Sequence, residues 1–121
     1  MKNTWIILIE ENDKNKNILE KSIRWFLNKY PETFQTQKTI KVNTFFDYSD
    51  IGCFGQTYIG KKNVDYVIDI MTNQSKRDLV ATIMHEMVHV MQWETNIWSG
   101  DGEKQAEKMQ YKLTDEMLSP D

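Results

Sequence analysis

Cysteine and histidine are scarce in this chain of 121 residues, which has one cysteine and two histidines. A single cysteine, Cys53, cannot form an internal disulfide, and this argues against the class of small secreted proteins that disulfides stabilise. No apolar run approaches the roughly 18 residues of a membrane-spanning helix. The first residues, MKNTWIILIEEND, lack the length and the cleavage site of a signal peptide. We therefore expect a cytoplasmic protein without a membrane partner.

Neither charge nor flexible sequence is concentrated anywhere in the chain. The formal net charge is −3, and the 15 lysine and arginine residues are scattered. Nucleic-acid recognition normally needs a basic patch, so nucleic acid is not an expected partner. No repeat and no linker rich in Gly, Pro or Ser interrupts the sequence. Residues 1–121 are therefore predicted to form a single domain, which we expect to be a monomer.

The first half of the chain predicts a helix followed by a small sheet. Apolar residues recur at helical spacing from Lys14 to about Tyr30, and Pro31 ends that pattern. The preceding segment TWIILI is either a short strand or the start of the same helix. Residues 38–72 predict two or three strands of a small antiparallel or mixed sheet, with antiparallel pairing favoured.

Two helices are predicted to follow the sheet, so the fold class is α+β. The first begins near Ser75, where Asp78 stands three residues later in an arrangement similar to a capping box, and runs to about Trp93. Asp101 is a suitable N-cap for the last helix, which is predicted to end near Leu118.

The first of these helices carries both histidines in an almost wholly apolar stretch, ATIMHEMVHVMQW at 81–93. Positions i and i+4 lie on one face of a helix, so His85 and His89 can direct two nitrogens at one metal ion. Glu86 flanks that point and can accept a proton from a water that zinc has acidified. The HExxH spacing therefore predicts a zinc site, one Zn²⁺ per chain, with Glu86 as general base. The alternative is a pair of hydrogen-bonded histidines in the core, but unpaired polar groups in such a setting would each cost about 1–3 kcal/mol.

A catalytic zinc usually has three protein ligands, and without a third histidine the last ligand should be a carboxylate. On the wheel of the last helix, Glu103 lies roughly 75° and Glu107 roughly 115° from the centre of the apolar stripe. Glu103 is better placed to point at the helix that carries the histidines, and Glu107 could hydrogen-bond a ligand histidine. The same residues could also be ordinary surface glutamates. The downstream candidates are Glu94, Asp101, Glu103, Glu107, Asp115 and Glu116.

The segments HEMVH, 85–89, and EKQAE, 103–107, together resemble the gluzincin pattern HExxH…ExxA[DN] of zinc peptidases. The resemblance implies that Glu103 binds zinc and that Glu107, which stands where Asp or Asn is usual, braces a histidine. The length and element order resemble the minimal gluzincins, which have a single zincin domain. TIMHEMVHVMQ, 82–92, is similar to the active-site helix of SprT-like proteases, which are often phage-encoded and normally use a third histidine.

The same families imply a strand at the edge of the sheet that binds the substrate. The segment CFGQTYIG, 53–60, is the candidate, and a peptide would add to it through backbone hydrogen bonds. A plain edge strand without that role is an equal alternative. The proposed contact residues are Phe54, Gly55, Gln56, Thr57 and Tyr58.

The pattern as a whole predicts a zinc metallopeptidase that hydrolyses peptide bonds of a peptide or protein substrate. The alternative is a catalytically inactive zincin-like module that binds zinc and serves as a regulatory or partner-binding domain. Against that alternative, a purely structural site has no need of Glu86. A tyrosine could also polarise the scissile carbonyl, and the sequence does not choose among Tyr58, Tyr66 and Tyr111.

Overall fold

The computed structural model describes residues 4–47, 53–98 and 100–119, and it has the predicted α+β fold. No helix in these residues is long and apolar enough to cross a membrane. In chain order the elements are β1 Ile6–Ile9, α1 Lys16–Lys29, β2 Thr39–Phe45, β3 Gly55–Ile59, β4 Tyr66–Met71, α2 Lys76–Thr95 and α3 Glu103–Leu118.

The four strands form one mixed sheet in the order β1-β2-β4-β3. The β1–β2 and β2–β4 pairs are parallel, and only β3–β4 is antiparallel. Of the two predicted alternatives, an antiparallel or a mixed sheet, the structure has the mixed sheet. TWIILI forms a strand separate from α1, so that α1 becomes the crossover between two parallel strands. The order also leaves β3 at an edge of the sheet, beside the strand that leads into α2.

The core lies between the inner face of the sheet and the helices. The side chains of β2 alternate between the two faces of the sheet, since Ile40 and Val42 are buried and Lys41 is exposed. Helix α2 is covered on most sides, because α1, α3, β3 and β4 all pack against it. This explains why its sequence is apolar around most of its circumference. Its buried residues are Leu79, Val80, Ala81, Ile83, Met84, Glu86, Met87, Val88, Val90 and Gln92.

The ends of α2 and α3 have specific capping contacts. Ser75 is the N-cap of α2, where its hydroxyl accepts a hydrogen bond from the Asp78 backbone N–H at 3.2 Å. Asn96 ends α2 in the left-handed conformation. The N-cap of α3 is Gly102 and not Asp101 as predicted, although the Asp101 carboxylate still accepts a hydrogen bond from the Glu103 N–H at 3.0 Å. The correction arises because residue 102 adopts a φ of +82°, which favours glycine.

Helices α2 and α3 form an antiparallel pair that polar contacts hold at the end farthest from their connection. Arg77 binds the Asp115 carboxylate through two nitrogens at 3.1 and 3.2 Å. The Tyr111 hydroxyl donates to Asp78 at 2.7 Å, and the Arg77 guanidinium lies over the Tyr111 ring. These contacts fix the position of α3 along α2, and so they set which residues of the two helices face each other.

We predict that Tyr111→Phe raises the pKa of Asp78 towards its ordinary value. The Tyr111 hydroxyl and, next, the Ser75 hydroxyl hold the pKa of this carboxyl below its usual range. Because the folded-state pKa is depressed, the associated stability is present above the unfolded-state pKa and is lost as the pH falls through the folded-state pKa. An NMR titration of the Asp78 carboxyl carbon measures the shift. Tyr58→Phe removes a tyrosine hydroxyl elsewhere and is the control; an unchanged Asp78 titration in Tyr111→Phe would contradict the prediction.

Candidate metal centre

The two histidines of α2 and the first residue of α3 meet at one point. The Oε2 atom of Glu103 lies 3.0 Å from His85 Nε2 and 3.1 Å from His89 Nε2. Each of the three residues offers one ligand atom, and these atoms lie within 4.8 Å of one another. Both histidine side chains are largely buried, whereas that of Glu103 is 45% exposed. The structure therefore brings together the three predicted ligands in a group that could hold a metal ion.

The other ring nitrogen of each histidine faces a glutamine amide. His85 Nδ1 lies 2.6 Å from Gln110 Oε1, and His89 Nδ1 lies 2.9 Å from Gln92 Oε1. An amide oxygen only accepts hydrogen bonds, so each Nδ1 is placed to donate its proton to a glutamine. In that tautomer the Nε2 atom of each ring carries the lone pair and can bind a metal ion. Hydrogen bonds of this kind orient ligand histidines in metal sites.

The orientation of the Gln92 amide follows from its own contacts. Its Nε2 donates to the Gly102 backbone oxygen at 3.0 Å and to Gln105 Oε1 at 2.9 Å, so its Oε1 is left for His89. A Cβ at position 102 would lie 2.3 Å from Gln92 Oε1. Glycine is therefore required there both for its backbone conformation and for space. The connection between the helices thus holds the ring of His89 in place.

A positive charge would stabilise the group formed by His85, His89 and Glu103. With Nδ1 protonated, each neutral imidazole presents a lone pair to the Glu103 carboxylate, and the two repel each other. A proton on either Nε2 or a cation between the nitrogens and the carboxylate would remove that repulsion. Burial lowers the pKa of His85, but the hydrogen bond to Gln110 and the charges of Glu86 and Glu103 outweigh it, so that the pKa is raised. The surroundings of the ring therefore favour a positive charge.

The buried carboxylate of Glu86 lies beside the histidines and is held by the edge strand. The residue is only 4% exposed, and its Oε1 accepts a hydrogen bond from the Thr57 hydroxyl at 2.7 Å. Burial raises the pKa of the Glu86 carboxyl, while the Thr57 hydrogen bond and the histidines partly offset this. A Cβ on Gly55 would lie 3.1 Å from Glu86 Oε2, so the backbone of β3 passes close to this oxygen.

A cavity of about 310 Å³ opens beside Glu86 and the candidate ligands. Cys53 lies on its wall and is half-buried, so it is not the small core residue that a lone cysteine usually is. The burial of Cys53 raises the pKa of its thiol. The lining residues are Cys53, Phe54, Gly55, Thr82, His85, Glu86, Glu103, Glu107 and Gln110.

Of the five residues predicted for the substrate strand, Phe54 precedes β3 and the other four lie on it. Phe54 and Gly55 line the cavity, and Thr57 contacts Glu86. Gln56 and Tyr58 bond to Asp69 instead, Gln56 Nε2 at 2.8 Å and the Tyr58 hydroxyl at 3.5 Å. Alternation along the strand therefore keeps the last two side chains away from the candidate ligands.

The histidine-bracing role predicted for Glu107 belongs to Gln110 and Gln92. Glu107 lines the cavity, yet within the described ranges it makes no hydrogen bond to either histidine. The physical reason is helix periodicity: Gln110 stands seven residues after Glu103, two turns along the same face of α3, which brings its amide to His85. Gln92 stands three residues after His89 on α2, where helix spacing brings the two side chains together.

The remaining carboxylates considered as third ligands are engaged elsewhere. Glu94 is bound by Lys38 at 2.6 Å and by the Tyr66 hydroxyl. Asp115 pairs with Arg77, and Asp101 accepts the Glu103 N–H. Glu116 lies 2.7 Å from the Lys29 ammonium group.

None of the three candidate tyrosines lines the cavity in the part of the chain that the structure describes. The Tyr58 hydroxyl contacts Asp69, that of Tyr66 donates to Glu94 and that of Tyr111 donates to Asp78. Each hydroxyl therefore already has an acceptor away from the metal-binding group.

Comparisons of the chain with protein-family models, curated proteins and solved structures found no match.

We predict that Thr57→Val destabilises the metal-free protein at neutral pH, because the buried Glu86 carboxylate then loses its hydroxyl donor. Leaving a buried polar group unpaired costs about 1–3 kcal/mol. Thr57→Ser keeps the hydroxyl and loses one methyl group, worth about 0.8 kcal/mol when buried. Urea unfolding with a chelator present compares the free energies. Equal losses in the two variants would show that the methyl group, and not the hydroxyl, matters.

Proposed function

We propose that this chain is a zinc-dependent endopeptidase of the gluzincin type, with His85, His89 and Glu103 as the zinc ligands and Glu86 as the general base. The proposal is carried by one observation: the Nε2 atoms of both histidines converge on the Glu103 carboxylate at the edge of a cavity that Glu86 also lines. We infer an intracellular location from the single cysteine, since small secreted domains commonly depend on disulfides.

The residues of the group fit zinc. Two imidazole nitrogens and one carboxylate are a known donor set of catalytic zinc, whereas structural zinc sites are closed by four protein ligands. Two ligands bound at about 2.0–2.1 Å in tetrahedral geometry are about 3.3–3.4 Å apart. The Glu103 Oε2 distances of 3.0 and 3.1 Å to the two Nε2 atoms need only a slight opening to reach that separation. The two glutamine amides supply the outer hydrogen bonds that such a site needs.

Zinc bound here would polarise the scissile carbonyl and lower the pKa of the attacking water. The chain's own contribution is the Glu86 carboxylate, which takes the proton from that water and then gives it to the leaving amine. Thr57 holds Oε1 of this carboxylate at 2.7 Å, so Oε2, beside the backbone of Gly55, is the oxygen left for proton transfer. Burial of Glu86 keeps bulk water away from the transferred proton.

The free edge of β3 is the proposed binding site for the peptide. This strand is the last one of the sheet and pairs only with β4 among the described strands. A peptide that adds to its open edge is held by main-chain hydrogen bonds. Phe54 and Gly55 then lie between the peptide and the zinc ligands. This arrangement would bring the peptide backbone to Glu86, and binding would depend little on the side chains of the peptide.

The first prediction from this proposal concerns zinc content. Protein purified without added metal or a polyhistidine tag should contain one zinc per chain, and His89→Ala should contain none. Glu103→Gln should bind zinc more weakly because the carboxylate charge is lost, whereas Glu107→Gln, the matched control, should bind it as tightly as the wild type. Elemental analysis measures the zinc content, and competition with a chromophoric chelator measures the zinc affinity. A folded wild-type protein without zinc, even after incubation with it, would overturn the proposal.

The second prediction separates the base from the ligands. Glu86→Gln should retain zinc and lose hydrolysis by about 10²–10⁴-fold, the usual contribution of a general acid–base group. Glu32→Gln removes the same charge from an exposed position and is the control. Mass spectrometry of a digested peptide mixture, together with zinc analysis, measures both properties.

Two results of that experiment would count against the peptidase. Hydrolysis by Glu86→Gln at the wild-type rate would contradict the role of Glu86. A zinc-loaded wild type that cleaves nothing would instead favour an inactive zinc-binding module.

A further inference from the structure

We propose that Glu107 selects substrates that carry a basic side chain, lysine or arginine, next to the bond that is cut. This inference rests on the proposed peptidase function and adds a substrate class to it. Glu107 was expected to brace a histidine, and it makes no hydrogen bond to either histidine in the described residues. Since Gln110 and Gln92 already hold the two histidines, the Glu107 carboxylate is left free to act on a bound molecule.

The position of Glu107 on α3 places it beside the reaction. Glu103, Glu107 and Gln110 stand at i, i+4 and i+7, so they follow one face of the helix. The first and the last of them both contact His85, Glu103 at Nε2 and Gln110 at Nδ1. Glu107 lies between these two contacts and lines the same cavity.

The carboxylate of Glu107 has no protein partner in the residues that the structure describes. No ion pair or hydrogen bond joins its side chain to another residue there, and the residue is exposed. The two acidic residues farther along α3 differ in this respect, because Asp115 pairs with Arg77 and Glu116 with Lys29. With Glu103 directed at the histidines, Glu107 is the acidic group of α3 at the cavity that a basic side chain can use.

The remaining wall of the cavity suits a long basic side chain. None of the lining residues is a lysine or arginine. A zinc ion on the histidines and Glu103 would offset the charges of Glu103 and Glu86, so the uncompensated negative charge of the wall is that of Glu107. Phe54, which is 54% exposed, offers apolar surface on which the methylene groups of lysine or arginine can pack. An acidic side chain beside Glu107 would meet a like charge, so this carboxylate also discriminates against acidic substrates.

The test measures binding separately from turnover. Zinc-loaded Glu86→Gln protein is titrated with short alanine-based peptides that carry lysine, norleucine or glutamate in turn at each position. Norleucine keeps the aliphatic part of lysine without its charge. At one position next to the zinc, lysine should bind more tightly than norleucine by a factor of about five, the upper end for an ion pair open to water. At about 1 M salt, where the screening length is about 3 Å, this preference should largely disappear.

Matched variants assign the preference to one side chain. Adding Glu107→Gln should bring the lysine-to-norleucine ratio to about one, and adding Glu32→Gln, which removes an equal charge outside the cavity, should leave the ratio unchanged. Equal binding of the three peptides, or a lysine preference that survives Glu107→Gln, would overturn the inference. Cleavage by the wild-type enzyme without a preference for basic residues would also overturn it while leaving the peptidase proposal intact. A zinc-loaded wild type that binds the lysine peptide selectively but cleaves nothing would instead contradict the peptidase and keep the binding preference.

Discussion

The meeting of Glu103 with His85 and His89 is the contact on which the rest of the site depends. It joins the start of one helix to the middle of another, so it exists only if α3 is held in one position along α2. Arg77 and Tyr111 fix that position at the far end of the pair, and the glycine at 102 fixes it at the near end. The group then brings together three atoms that could bind a metal ion. A cation between these atoms would stabilise the arrangement.

The helix that carries the histidines is packed against four other elements, and its buried carboxylate needs compensation. A carboxylate in the middle of α2 is unfavourable unless something solvates it, because burial penalises the charged form. The Thr57 hydroxyl and the nearby histidines supply this, instead of a lysine or arginine. A cationic partner would neutralise Glu86 and occupy the space that the proposed substrate would need. The weaker, neutral donor leaves one oxygen of the carboxylate open to the cavity.

The sequence was sufficient for the features that depend on local periodicity. It predicted the α+β class, the helix boundaries within two residues and the convergence of His85, His89 and Glu103. The edge strand came from the resemblance to zinc peptidases and not from periodicity. The sequence did not predict the parallel pairing of β1, because a run as short as TWIILI is compatible with a strand or a helix. It also missed the contacts of Gln92 and Gln110 with the histidines, and it named Thr57 as a substrate contact and not as the partner of Glu86. The contacts of Gln110 and Thr57 join separate elements, and no single spacing encodes them.

The position of β3 links two requirements that are separate in principle. In the proposed peptidase, a base must be held still and a peptide must be held beside it. The same strand could do both, because alternation along it sends the Thr57 side chain inwards to Glu86 while its outer backbone edge stays unpaired in the described sheet. Gly55 allows this by bringing backbone against the carboxylate, where a Cβ would lie 3.0 Å from Thr82 and 3.1 Å from Glu86. Binding a peptide to the edge would therefore restrain the strand that positions the base, so that binding and alignment reinforce each other.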